Sequence, residues 1–166
     1  MKKDIRLYNV IFPIWILMFW PTPPIILITL LGNLVIDCLV LYLALRAVKH
    51  PGKKEVVKGL WYKFWGFGFL ADIVGAGWLF GNLYAIELVP FLGFMDSFVN
   101  VINPWKNPLS LLWTLSGVAI AGVCIYFFDK RAMKNCALLD KRQKHIIALA
   151  MAVVTAPWLF LVPLYW

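Results

Sequence analysis

Charge is scarce in this chain, and acid is scarcer still. Only 14% of the 166 residues are Asp, Glu, Lys or Arg, and eight of them are acids. A soluble domain carries about 25% charged residues. The hydrophobic share is 63% and the mean hydropathy is +0.81. One soluble core could not hide that much apolar surface, which excludes an ordinary soluble domain. Cysteine is nearly as sparse. Cys38, Cys124 and Cys136 form no C-x-x-C pair, so neither a disulfide framework nor a thiol redox couple is expected. The two histidines, His50 and His145, stand at the edges of apolar runs, which argues against a bis-histidine haem site within a membrane. Neither an HExxH, a GxSxG nor a P-loop pattern occurs, so no nucleophile or metal motif recommends catalysis. The remaining enzymatic option is an intramembrane enzyme acting on a lipid, with acids as general acid and base.

What the chain does have is long apolar runs, and about 20 residues of helix cross a bilayer. Runs at 7–20, 24–48, 59–82, 108–128 and 145–165 predict an all-α polytopic membrane protein of five spans, one domain over 1–166. The first run is short and holds Pro13, so it crosses as a short tilted helix or re-enters. Pro21-Thr22-Pro23-Pro24 follows it in place of a small-x-small cleavage site, which reads as an uncleaved segment. Between residues 88 and 103, Phe91, Phe94, Phe98 and Val101 fall on one helical face and Asp96, Asn100 and Asn103 on the other, with Pro90 in the first turn. That pattern predicts an amphipathic helix in the outer interface. Tryptophans at the predicted boundaries, among them Trp61, Trp65, Trp105 and Trp158, are expected as interfacial anchors.

Fifteen of the sixteen Lys and Arg residues fall in three clusters, at 2–6, 46–63 and 130–144. Cytoplasmic loops collect Lys and Arg. Five spans put all three clusters inside, with the N-terminus inside and the C-terminus outside. Topology thus accounts for the net charge of +8, and no nucleic acid is expected as a partner. Attraction to anionic lipid head groups is the expected secondary effect. Twelve Lys against four Arg fits a bacterial cytoplasmic membrane. The stretch 129–144 reads as a solvated hairpin of mixed charge.

Two acids break the apolar runs. Asp37 is nine residues before Arg46, and Asp72 is nine after Lys63. If those cations mark one membrane face, the carboxyls lie level, roughly 13 Å inside it. A charged side chain there costs roughly 2.5–3.5 kcal/mol. Asn33 shares the face of Asp37, while Gly68, Gly75 and Ala76 share that of Asp72, and small residues admit a close neighbour. Two carboxyls meeting in a low dielectric cannot comfortably both ionise. They share a proton, bind a cation or donate hydrogen bonds. Ser110, Thr114, Gly117, Ala121 and Cys124 form a small and polar stripe in the fourth run. In the fifth, Pro157 frees the carbonyl of Val153, with Thr155 beside it as a cap.

The expected function is a proton- or cation-linked transporter or channel. Its midplane site is Asp37, Asp72 and Asn33, supported by Thr114, Thr155 and the Val153 carbonyl. No cofactor beyond a bound cation is expected. So few short helices enclose little volume, so a homodimer is expected. The alternative is a non-catalytic membrane subunit, bound to a membrane protein partner, whose acids glue helices together.

Overall fold

A computed structural model describes residues 23–88, 99–100 and 103–163, and it is helical throughout, with no strand among them. Four helices carry the fold: α1 (Pro23–Ala47), α2 (Lys53–Leu88), α3 (Pro108–Ala132) and α4 (Lys141–Val154). Four stretches are long and apolar enough to cross a membrane: Ile26–Ala47, Lys53–Gly81, Pro108–Ala132 and Lys141–Leu161. The first predicted run, 7–20, and most of the predicted interfacial helix lie outside the described residues. Asn100 and Asn103, assigned to that helix's polar face, lie in no helix. The Asn100 side chain accepts from the Asn103 amide at 2.7 Å, ahead of a 3₁₀ turn at Pro104–Lys106.

Helix ends follow local chemistry. The last turn of α1 closes with bonds from His50 N to Leu45 O and from Lys49 N to Arg46 O, and Lys49 takes a left-handed conformation at φ 53°. This is a Schellman closure, and that position usually belongs to glycine. A side chain there is strained. Lys49→Gly is therefore expected to stabilise the protein by about 1 kcal/mol, read as a higher melting temperature in detergent; a lower one would mean that the Lys49 side chain makes a contact worth more than the strain. Asn107 caps α3 by accepting from Ser110 N at 2.8 Å, with Pro108 in the first turn. Asp140 and Gln143 form a capping box at α4.

Three boundaries differ from the sequence reading. α2 begins at Lys53 and runs unbroken past Lys63, because Val56, Leu60 and Phe64 recur every four residues and are all buried. The predicted hairpin at 129–144 is not solvated at its start. α3 continues through it to Ala132, and Asp129 is buried. The predicted fifth run at 145–165 is a 14-residue helix followed by a bend at Pro157 and a 3₁₀ turn at Trp158–Leu161.

The helices close a ring. Each packs on the next, and α4 returns to α1. The α1–α2 and α3–α4 connections meet at one end, where His50 Nε2 donates to Leu138 O at 2.8 Å. We call this the basic end, since two Lys/Arg clusters gather there. Its core holds Leu41, Leu45, Phe64, Ile125, Met133 and Met151. A second, smaller cluster of Ala76, Leu79, Val118, Ala156 and Phe160 lies towards the other end. Tryptophans expected only as anchors also tie the ring together. Trp65 donates to Leu30 O at 3.1 Å and Trp105 to Leu161 O at 2.7 Å.

Candidate functional site

The site begins with a glycine. Gly68 of α2 has no side chain, and an added Cβ would stand 3.2 Å from Asp37 Oδ2. The Asp37 carboxyl, on a residue only 7% exposed, therefore rests against the α2 backbone. Asp72 is one turn further along α2, with Oδ1 buried and without a hydrogen-bond partner. The predicted level pairing is thus offset by about one turn, roughly 6 Å. The reason is that Lys63 lies inside α2 and does not mark its start. In an antiparallel pair the same register sets Asn33, one turn before Asp37, near the depth of Asp72. Asn33 is half-buried.

The α2–α3 register adds a third acid. A Cβ on Gly75 would meet Ala121 Cβ at 2.9 Å and Gly117 O at 3.0 Å. Nearer the basic end, the rings of Phe67 and Phe128 lie 5.5 Å apart. Asp129, the next residue, therefore sits near the depth of Gly68 and Asp37. It is 1% exposed, and neither carboxyl oxygen has a hydrogen-bond partner. Three helices of the ring thus each bring one acid to two adjacent layers of the bundle. Asp37 and Asp72 flank the boundary between the two apolar clusters.

Cations lie near in sequence but are engaged elsewhere. Lys63 Nζ is over the Tyr62 ring at 5.7 Å. Lys130 Nζ is over the Tyr126 ring at 5.3 Å and donates to Tyr126 Oη at 3.3 Å. The same hydroxyl is 2.8 Å from His145 Nδ1.

The supporting residues proposed from sequence do not join the acids. The Val153 carbonyl is freed by Pro157 as expected, but it accepts from Trp158 Nε1 at 2.8 Å, and the Val153 side chain faces outward. Thr155 Oγ1 donates to Met151 O at 2.9 Å, so its role is to cap α4. Thr114 is buried, yet it donates to Ser110 O at 3.0 Å and lies 15 residues from Asp129 along α3, roughly 22 Å. The sequence reading missed Asp129 because Lys130 and Arg131 follow it. The available signal was the spacing Ala121, Ile125, Asp129, which continues the buried stripe of α3 in steps of four.

Among the described residues, no three His, Cys, Asp or Glu side chains stand close enough to hold one metal ion. The cysteines are free thiols, each half-buried. No family model, curated protein or solved structure matches the chain.

Proposed function

We propose that this protein is a small proton-linked transporter or channel of a bacterial cytoplasmic membrane, and that Asp37, Asp72 and Asp129 form its charge-carrying site. The observation that carries the reading is that both oxygens of Asp129 and Oδ1 of Asp72 are buried without a hydrogen-bond partner. An unpaired carboxylate away from water costs several kcal/mol, and its charge is removed by taking up a proton or binding a cation. A structural acid would instead be expected to hold a donor. Protons are favoured over a multi-ligand cation site because, among the described residues, no three acidic side chains converge on one point. Asn33, half-buried at about the depth of Asp72, supplies an amide of the kind that could orient a carboxyl or a water between the layers. A second copy of the chain fits the same reading. Gly77 and Gly81 of α2 face outward with nothing within 4 Å of an added Cβ, which allows close helix approach in lipid. The proposed topology places the basic end in the cytoplasm, by the Lys and Arg rule.

The test is proton flux into proteoliposomes under an imposed potassium diffusion potential, read with an internal pH dye. Wild type is expected to exceed empty vesicles, and Asp37→Asn or Asp72→Asn to reduce the excess at least about tenfold, the loss typical when one positioned proton carrier is removed. Melting curves with Na⁺, K⁺, Ca²⁺ and Mg²⁺ run beside it, since a bound ion stabilises the native state. Flux that survives both substitutions would sink the reading, and so would wild-type vesicles no more permeable than empty ones.

A further inference from the structure

We propose that the cleft between the ends of α3 and α4 binds the phosphate of an anionic phospholipid. The cleft measures about 530 Å³ and is lined by Phe127, Lys130, Arg131, Lys134, Lys141 and Lys144. That is five cations and no acid. The two acids nearest in sequence are turned to other work. Asp129 is buried in the ring, and Asp140 accepts from Gln143 N at 2.6 Å as the α4 cap.

The arrangement is costly when empty. Five like charges crowd one opening. The first turn of α4 holds cations and no acid, the reverse of what a helix N-terminus favours. An anion seated in the cleft relieves both costs. Lys144 is already positioned, donating to Lys134 O at 3.2 Å across the hairpin.

The position selects a lipid over a soluble anion. α3 leaves its apolar span here and α4 enters its own, so the cleft stands at head-group depth. Phe127 forms the apolar part of the lining and is exposed, and Val123, one turn further into the span, is exposed on the same face. Together they offer a track for an acyl chain below the phosphate. Basic pockets between spans are known sites for anionic lipid head groups.

The test uses the purified full chain in neutral detergent. Its melting temperature is followed while phosphatidylglycerol, phosphatidylcholine or inorganic phosphate is titrated at fixed ionic strength. Phosphatidylglycerol is expected to raise it by roughly 5 °C near saturation, and phosphatidylcholine to leave it unmoved. In the variant carrying Lys130→Gln, Lys134→Gln and Lys141→Gln, the half-saturating concentration should rise roughly a hundredfold, at about fivefold for each cation. A control with Lys54→Gln and Lys58→Gln, in the first two turns of α2, should respond as wild type does. Native mass spectrometry of the wild type, which needs no variant, should retain one phosphatidylglycerol in preference to phosphatidylcholine. No selective rise, or an equal loss in the control, would overturn the proposal. A full rise with inorganic phosphate would assign the cleft to a soluble anion and overturn the lipid.

Discussion

Replacing Asp129 with Leu is expected to raise the melting temperature and to abolish proton flux in the same protein. The residue is buried, Ile125, Ala132 and Met133 about one turn away along the chain belong to the apolar core, and neither carboxyl oxygen has a partner. Removing an unsatisfied buried polar group recovers about 1–3 kcal/mol. At this chain length that is roughly 3–10 °C. Leu is larger than Asp and can overpack a close interior, so Asp129→Ala serves beside it and should also be no less stable than wild type. A proton carrier and a helix glue predict opposite signs. If Asp129 holds helices together through hydrogen bonds, both variants lose stability. If it carries protons, they gain or hold stability and lose function, the familiar exchange between an active site and the stability of its fold. Paired melting and flux measurements on the two variants decide between these outcomes.

Gly75→Val is expected to be the most damaging single substitution at the α2–α3 contact. The new Cβ would meet Ala121 Cβ at 2.9 Å, the Gly117 carbonyl at 3.0 Å and the Phe160 ring at 3.3 Å. A backbone carbonyl on a neighbouring helix cannot swing aside, so the helices must separate. Overpacking of this kind costs about 3 kcal/mol, and the two valine methyls add to it. Gly117 is more tolerant. Its Cβ would meet Leu79 Cγ at 2.6 Å and the Leu79 methyls at 2.7 and 3.0 Å; these are side-chain atoms, which can shift where a backbone carbonyl cannot, so Gly117→Ala should cost less. Within the single chain Gly77→Ala meets nothing within 4 Å, so in the monomer it should be neutral or stabilising by up to about 1 kcal/mol through helix propensity. Melting temperatures that fail to rank Gly75→Val below Gly117→Ala below Gly77→Ala would contradict the register on which the acid layers rest.

The parts of the site that could be read from sequence were those where one residue type contrasts with its neighbours. Asp37 and Asp72 stand out against apolar runs, and glycines at 68 and 75 marked where a second helix comes close. Asp129 carried the same information but lay against Lys130 and Arg131, and a local charge pattern outweighed its place on a helical face. The start of α2 was hidden in the same way. Lys53, Lys54, Glu55, Lys58 and Lys63 look like a loop until Val56, Leu60 and Phe64 are read as its buried side. The Val153 carbonyl shows a different limit. Pro157 frees it as covalent geometry requires, but its partner, the Trp158 indole, is set by how the chain bends after the proline. Periodicity reports which face a residue occupies. It does not report which nearby donor arrives first.

The length of α2 governs how the protein sits in a bilayer. Its 36 residues make a rod of about 54 Å, against about 37 Å for the 25-residue α1 and α3. Hydrocarbon is about 30 Å thick. Tilting cannot absorb the difference, because α2 is packed against both shorter neighbours. Its apolar stretch at 64–81 is about 27 Å long, while Lys53, Lys54, Glu55 and Lys58 stand clear at the basic end. In a bilayer, an apolar stretch of that length would match a hydrocarbon layer slightly thinner than about 30 Å. A thicker bilayer would have to compress around it, at a fraction of a kcal/mol for each ångström of misfit. Acyl chain length, quite apart from head-group charge, then becomes a quantity that sets how firmly the protein is seated.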